Sequence, residues 1–186
     1  MSSAVLLHLM RHGEPEGAGR MLGHTDSPAT PAGIAACRER ATGLACDRVV
    51  SSDLSRAVAC AEAIAGRAVP TDARWRELDF GAWEGLLAAE IDGGALGRFW
   101  DDPDAHPPPG GERWTALVAR VGAALDEAEG ATLVVTHAGA IRAALARLCG
   151  FDQRQLWCFH LPYAAVVSVR IWRGPEPTAQ IVAMRT

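Results

Sequence analysis

The feature that most constrains this chain is a repeated pattern in which a short strand-like run is followed by an amphipathic helix. Strand-like runs lie at residues 4–10, 47–52 and 131–137. The first run is apolar on both alternating faces apart from His8, which is typical of a central strand covered by helices on each side. Such repeats predict a parallel sheet whose ligand crevice lies outside the carboxyl ends of its strands.

Helix signals separate these runs. Thr30, followed by a proline, is a helix N-cap signal, Asp53 is placed to cap a second helix, and Gly150 is placed to end the helix after the third strand. Apolar stretches at residues 164–172 and 178–184 flank the sequence RGPEP and predict a C-terminal antiparallel hairpin. We therefore predict an α/β fold, a three-layer α/β/α sandwich with a mostly parallel central sheet and that terminal hairpin.

The length and composition predict a single domain over residues 1–186, because 49% hydrophobic and 22% charged residues are ordinary for a globular protein. The pattern loosens between about residues 77 and 111, which hold ELDFGAWEG, a short helical stretch and the proline-rich DDPDAHPPPGGE. A long excursion of mixed character inside a domain is more often a lid or binding loop than a linker. We expect this excursion to cover the ligand crevice at the strand ends.

The charge pattern narrows the possible partners. A net charge of −4 argues against a general nucleic-acid or anionic-membrane surface. All 18 basic residues are arginine, and the absence of lysine excludes a Walker A phosphate loop. The apolar run at residues 4–10 is too short to span a membrane and lacks the features of a signal peptide, so a cytoplasmic protein is expected. The sequence does not indicate the oligomeric state.

Three glycines after the first strand, Gly17, Gly19 and Gly23, raise the alternative of an NAD(P)-dependent oxidoreductase. A dinucleotide fingerprint requires its glycines to begin a helix directly after the strand, because the helix N-terminus binds the pyrophosphate. Here RHGEPE intervenes, and no helix signal precedes Thr30. We interpret these glycines as conformational, allowing a tight loop or a close backbone approach to an anion.

Two histidines and two arginines are predicted to meet at one edge of the sheet. His12 and His137 each directly follow a predicted parallel strand, Arg11 precedes His12, and Arg56 lies in the first turn of the second helix. Guanidinium groups bind phosphoryl oxygens through charged hydrogen bonds, and a neutral imidazole can act as a nucleophile. The four side chains therefore favour a site for a dianionic phosphate.

Four segments of the chain resemble one known family. In chain order they are LMRHGEP, SSDLSRAVACAEAIA, ELDFGAWEG and VVTHAGAIRA, and together they span most of the sequence. They are similar to the signature segments of the histidine phosphatase superfamily, which has the phosphoglycerate-mutase-like fold. The ordered match of four segments is far more specific than the short RHG sequence alone.

The resemblance implies a role for each residue at the predicted sheet edge. His12 is implied as the nucleophile that forms a phosphohistidine intermediate. Arg11, Arg56 and His137 are implied to complete the phosphate pocket, and the backbone N–H of Ala138 is placed to add a donor at a helix N-terminus. The resemblance implies neither a metal nor a cofactor, because arginines supply the positive charge.

The resemblance also suggests the acid and the residues that contact the substrate. Glu77, in ELDFG, is implied to protonate the leaving alkoxide, with Glu84 as the alternative acid and Asp79 as a third candidate. Arg20 resembles the arginine that follows the signature loop in many members. We also predict substrate contacts from Gly23 and Glu84, and from Arg113.

The implied activity is metal-independent hydrolysis of a small-molecule phosphate monoester. The segment PPPGGERW is similar to one in α-ribazole phosphatases, although Arg113 stands where serine is usual, so α-ribazole 5′-phosphate is one candidate substrate. The aromatic residues Trp83, Phe99 and Trp100 are predicted either to stack on a base-like leaving group or to pack in the core. The alternatives are phosphoglycerate-mutase-type phosphoryl transfer and a non-catalytic phosphate-binding module.

Overall fold

A five-stranded sheet forms the centre of the protein, for which the computed structural model describes residues 4–174 and 178–186. Its strands are β1 (Val5–Arg11), β2 (Arg48–Ser51), β3 (Ala131–Thr136), β4 (Val166–Trp172) and β5 (Thr178–Arg185). Their spatial order is β2-β3-β1-β4-β5. Strands β2, β3 and β1 are parallel, whereas β4 is antiparallel to β1 and β5 is antiparallel to β4. The predicted parallel core and terminal hairpin are confirmed, although residues 175–177 of the predicted hairpin turn lie outside the described residues.

Helices cover both faces of the sheet, which confirms the predicted three layers. The helices are α1 (Pro31–Ala41), α2 (Ser55–Ala65), α3 (Gly93–Asp101), α4 (Trp114–Asp126), α5 (Ala138–Cys149) and α6 (Gln153–Leu156). Alternate residues of β1 enter different layers, since Leu7 and Leu9 pack in the core with α4 and α5, whereas Met10 packs with Cys37 of α1 and Cys60 of α2. Within the described ranges, no helix has both the length and the apolar character needed to cross a membrane.

The helix ends follow the predicted signals at two positions and depart from them at a third. The Thr30 side chain accepts a hydrogen bond from the Gly33 amide (3.0 Å), and Gly150 ends α5 with φ of 69°. The predicted cap of α2 by Asp53 is wrong. Helix α2 begins at Ser55, whose amide donates to the Asp26 carboxylate (2.8 Å).

The carboxylate of Asp53 instead binds the guanidinium of Arg76 through two hydrogen bonds, of 2.7 and 2.5 Å. A bidentate pair between arginine and a carboxylate is stronger than a single capping bond to a neutral amide. The tertiary contact therefore overrides the local capping preference. This pairing also ties the start of α2 to the segment that leads into residues 77–111.

The excursion at residues 77–111 is anchored at its two ends. The Ala82 amide donates to the Pro109 carbonyl, and the Glu112 amide donates to the Asp79 carbonyl, each at 2.9 Å. Gly81 has φ of 50°, and a Cβ there would collide with the backbone of Pro109 and Gly111. Helix α3 and two 3₁₀ turns lie between these anchors. The excursion thus folds back on itself beside the sheet edge.

Candidate active site

His12 follows the last residue of β1, at the carboxyl edge of the parallel strands. Its amide donates to the Thr136 carbonyl of β3 (2.8 Å), and its own carbonyl accepts a hydrogen bond from the Ala164 amide (3.1 Å). The ring Nδ1 lies 2.7 Å from the carbonyl oxygen of Gly13. Because a carbonyl oxygen only accepts hydrogen bonds, Nδ1 must carry the ring proton. Nε2 of the neutral ring therefore carries the lone pair.

The environment of His12 keeps its imidazole neutral. Burial lowers the pKa of His12 to about 3, and the positive charges of Arg56 and Arg11 act in the same direction. The imidazole is only 5% exposed. A neutral ring with a free Nε2 lone pair is the form in which histidine is nucleophilic.

His137 lies beside His12, at the junction between β3 and α5. The centres of the two rings are 4.9 Å apart, in an edge-to-face arrangement. His137 Nε2 lies 2.9 Å from the hydroxyl of Ser52, and Nδ1 is buried with no hydrogen-bond partner among the described residues. Burial lowers the pKa of His137, and the neighbouring His12 and the positive charge of Arg56 lower it further. The structure thus places a second polar ring against the first.

Arg56 is fully buried in the first turn of α2. Its terminal nitrogens donate to the carbonyl oxygens of Thr25 (2.8 Å), Leu22 (2.9 Å) and Gly23 (2.7 Å). No carboxylate oxygen lies within 4.0 Å of it in the described ranges. Burial lowers the pKa of Arg56, although the carboxylate of Glu77 raises it. This buried cation is held by carbonyl groups, without a paired carboxylate.

Arg11 is positioned by the segment that precedes β4. Its guanidinium donates to the Leu161 carbonyl (2.7 Å) and lies over the ring of Tyr163, 4.0 Å from the ring centre. Burial lowers the pKa of Arg11, against opposing contributions from Tyr163 and Glu77. The Tyr163 ring also lies 5.7 Å from the ring of His12. Tyr163 thus contacts both residues at the end of β1.

Glu77 lies at the N-terminus of α5. Its carboxylate accepts hydrogen bonds from the amides of Gly139 (3.0 Å) and Leu78 (2.9 Å). A Cβ on Gly139 would collide with the Glu77 carboxylate, so the close approach requires glycine. Negative charge is favoured at a helix N-terminus, which fixes this carboxylate beside Ala138.

A cavity of about 240 Å³ opens beside Glu77. Arg11, Glu77 and Ala138 are part of its wall, together with Gly139 and Arg142. The rest of the wall is mainly apolar or aromatic, and consists of Leu78, Phe80, Phe99, Trp100, Pro103, Trp114, Leu117, Gln153, Leu156 and Trp157. The excursion at residues 77–111 therefore supplies much of the wall.

The buried members of the predicted phosphate site do not line this cavity. His12, Arg56 and His137 are each at most 5% exposed and are not part of the wall. Arg11, which precedes His12 in the chain, and Ala138, which follows His137, do line the cavity. Each histidine is thus adjacent in the chain to a residue of the cavity wall.

Other predicted residues lie away from this cavity wall. Arg20 donates to the Gly85 carbonyl (2.7 Å) and lies 3.6 Å from the Glu90 carboxylate. Arg113 precedes α4 and donates to the Asp104 carbonyl (2.7 Å). Gly23 contributes its carbonyl to Arg56. Trp83 packs in the core, only 7% exposed.

Glu84 organises the loop around Gly23. Its carboxylate accepts hydrogen bonds from the amides of His24 (2.8 Å), Thr25 (2.9 Å) and Phe80 (3.0 Å), and from the Gly23 amide at 3.2 Å. Burial raises the pKa of Glu84, but these hydrogen bonds and that of the Thr25 hydroxyl outweigh it and hold the pKa below its usual value. Glu84 is therefore a charged residue that fixes the loop. Asp79 caps the nearby turn by accepting from the Gly81 amide (2.8 Å).

Four residues at the site are not among those predicted from the sequence, namely Arg142, Ser52, Trp157 and Tyr163. Arg142 lies one helical turn after Ala138, so the position of the predicted helix start was the available signal. Ser52 directly follows β2, one of the three parallel strands. The segment that holds Trp157 and Tyr163 has no periodic pattern that predicts its path. Within the described residues, no group of three or more His, Cys, Asp or Glu side chains is placed to bind a metal ion.

The low pKa of His12 predicts how stability depends on pH. An unfolded chain protonates this histidine near pH 6.5, whereas the folded protein does so only near pH 3. Between these values the unfolded state binds more protons, so the free energy of unfolding should fall as the pH drops from 6.5 towards 5. One such histidine contributes at most about 1.4 kcal/mol per pH unit.

Urea unfolding at pH 7, 6 and 5 measures this slope. The free energy of unfolding should fall less steeply with decreasing pH in His12→Gln than in the wild type. The difference should be at most about 1.4 kcal/mol per pH unit. His106→Gln, which replaces an exposed histidine, should keep the wild-type slope. An unchanged slope in His12→Gln would mean that His12 is accessible to protons in the folded protein.

The chain is similar to known proteins over most of its length. A family model for the histidine phosphatase superfamily (branch 1) matches residues 7–182. The chain is 29% identical to the putative phosphoserine phosphatase 2 of Hydrogenobacter thermophilus, with 89% of each protein covered. It is also 29% identical to the adenosylcobalamin/alpha-ribazole phosphatase of Salmonella typhimurium, with 90% of this chain and 91% of that protein covered.

The fold is also shared with a solved structure. Mycobacterial glucosyl-3-phosphoglycerate phosphatase is 25% identical and superposes with a TM-score of 0.85, with 97% of this chain and 98% of the other covered. The match of the family model covers more than half of the chain. The protein therefore belongs to the histidine phosphatase superfamily, and it is a phosphatase with the phosphoglycerate-mutase-like fold.

Proposed function

We propose that this phosphatase hydrolyses small-molecule phosphate monoesters without a metal ion, through a phosphohistidine formed on His12. The observation that carries the proposal is the contact of His12 Nδ1 with the Gly13 carbonyl (2.7 Å), which leaves the Nε2 lone pair free in a neutral ring. Arg11 and Arg56 lie beside this ring and lower its pKa. The same two cations would stabilise the negative charge of a bound phosphoryl group.

In the first step, the Nε2 lone pair of His12 attacks phosphorus and the bond from phosphorus to the ester oxygen breaks. The dianion of the bound substrate favours protonation of the adjacent Glu77 carboxylate, which then donates its proton to that oxygen, so that a neutral alcohol leaves. The position of Glu77 supports this role, because it lines the cavity next to Arg11. The N-terminus of α5 places the amide of Ala138 at the same cavity.

In the second step, water attacks phosphorus and the N–P bond breaks, returning the electron pair to Nε2. The Glu77 carboxylate takes the proton of the attacking water, which restores the starting state of both residues. Glu77 is a better candidate than Glu84 for these transfers, since the Glu84 carboxylate is held by four backbone amides and does not line the cavity. Asp79 does not line it either.

For the specific substrate, α-ribazole 5′-phosphate has support from the named Salmonella relative and from the aromatic cavity wall. Phe99 and Trp100 are placed to contact an aromatic base. Arg113, which stands where α-ribazole phosphatases usually have serine, donates a hydrogen bond to the Asp104 carbonyl away from the cavity. The other relatives are named for phosphoserine and glucosyl-3-phosphoglycerate, so the proposal extends to small phosphate esters as a class.

The experiment is hydrolysis of 4-nitrophenyl phosphate by the wild type in EDTA and in buffer containing Mg²⁺. Equal rates are expected, because arginines supply the positive charge that a metal provides in other phosphatases. α-Ribazole 5′-phosphate and 3-phosphoglycerate serve as competitors, and release of 2-phosphoglycerate would reveal mutase activity. Loss of hydrolysis in EDTA with recovery on adding Mg²⁺ would contradict the metal-free route.

A further inference from the structure

Arg142 is a second cation in the cavity, separate from the cluster around His12. It lies on α5, four residues after Ala138, and both residues line the cavity. Residues four apart lie on the same face of a helix. Arg142 therefore faces the cavity one helical turn beyond the helix start that holds Glu77.

The hydrogen-bonding groups of Arg142 are largely unused. One terminal nitrogen lies 3.4 Å from the Phe159 carbonyl, Nε is buried with no partner, and no carboxylate oxygen lies within 4.0 Å among the described residues. Arg120, in contrast, donates to the Glu112 carboxylate and to three backbone carbonyls. Arg142 therefore remains a cation that the protein itself does not neutralise.

The position of Arg142 is nevertheless fixed. Its guanidinium lies over the Trp157 ring at 4.3 Å, and Trp157 packs against Trp100 with ring centres 5.0 Å apart. The Gln153 side chain donates to the Trp100 carbonyl (3.1 Å). Burial lowers the pKa of Arg142, the nearby carboxylate of Glu77 opposes this, and the charge of Arg11 adds to the lowering. The protein thus holds an unpaired cation at an energetic cost, which a bound anion would relieve.

The other residues of the cavity wall indicate which kind of ligand the cavity fits. Most of the cavity wall is apolar or aromatic, with Leu78, Phe80 and Phe99 among its residues. The lining contains two arginines and one carboxylate, Glu77. A ligand that carries two anionic groups and an apolar body matches this lining. A planar guanidinium pairs in a two-point geometry with a carboxylate or with a phosphate. The single positive charge of Arg142 balances the one negative charge of a carboxylate, but not the two of a second phosphate dianion.

We propose that Arg142 binds a carboxylate on the leaving group of the substrate, so that the preferred substrates are phosphate monoesters of hydroxy acids with an apolar or aromatic body. This inference rests on the proposed function, and it narrows its substrate class. α-Ribazole 5′-phosphate lacks such a carboxylate and is disfavoured by it.

The test measures binding by calorimetry, so that it does not depend on turnover. The probes are 4-(phosphonomethyl)benzoate and 4-(phosphonomethyl)benzamide, together with their 3-substituted isomers, which differ only in carboxylate against carboxamide. For at least one isomer, the wild type should bind the carboxylate at least about tenfold more tightly, as one charged hydrogen-bonded pair provides. Arg142→Met should bring the ratio of the two Kd values to within about twofold of one, and Arg142→Lys should retain part of the preference.

Arg147→Met is the matched control, because Arg147 lies on the same helix but pairs with Asp126 (3.6 Å) outside the cavity. It removes the same charge and should keep the wild-type ratio. Equal affinities of the wild type for both probes, an undiminished preference in Arg142→Met, or its loss in Arg147→Met would each overturn the inference. A carboxylate preference without any hydrolysis of phosphate esters would retain the inference and reject the proposed catalysis.

Discussion

Replacing His12 with alanine is expected to lower kcat/KM for 4-nitrophenyl phosphate by at least about 10⁴-fold, since the substitution removes the attacking atom itself. The phosphate-binding arginines remain, so substrate binding should weaken far less than turnover. Vanadate binding, measured by calorimetry on both proteins, separates the two effects.

His160→Ala is the control for this substitution. His160 is exposed and lies outside the cavity wall, so its removal should leave kcat/KM unchanged. His12→Ala with a rate within tenfold of the wild type would show that another group attacks phosphorus.

Glu77→Gln is expected to have an effect that depends on the leaving group. For an alkyl ester such as glycerol 3-phosphate, loss of the acid should lower kcat/KM by about 10²- to 10⁴-fold. For 4-nitrophenyl phosphate the loss should be under about tenfold, because nitrophenolate leaves without a proton. Steady-state kinetics on both esters measures the difference.

Two further variants distinguish the acid role of Glu77 from a general disturbance. Glu84→Gln weakens the loop around Gly23 and should affect both esters alike. Gly139→Ala would push the Glu77 carboxylate aside and should reproduce the preferential loss on the alkyl ester, whereas Gly97→Ala, which has open space around it, should not. Equal losses on both esters in Glu77→Gln would assign the proton transfer to another group.

The residues at the strand ends could be predicted because local patterns determine where they lie. A strand that is apolar on both faces must be central, and central parallel strands end at one common edge. This reasoning places His12 and His137 together, and their ring centres are 4.9 Å apart. Arg56 follows β2 at the same edge, and its positive charge lowers the pKa of His12.

The remaining features depend on contacts between distant segments. Asp53 is a good capping residue, yet its pairing with Arg76 is set by the path of the chain after β2. Arg20 and Arg113 had suitable chemistry, but each is bonded to a backbone carbonyl of its own surroundings. Tyr163 lies in an aperiodic segment, and only the antiparallel pairing of β4 with β1 brings it to Arg11.

Capture of the phosphoenzyme is the direct test of nucleophilic catalysis by His12. The wild type is mixed with 4-nitrophenyl phosphate, quenched rapidly in base, and digested for mass spectrometry. One phosphate is expected on the peptide that holds His12, stable in base, labile in acid and missing from His12→Ala. Turnover without this adduct, or a phosphate found on another residue, would contradict a phosphohistidine at the end of β1.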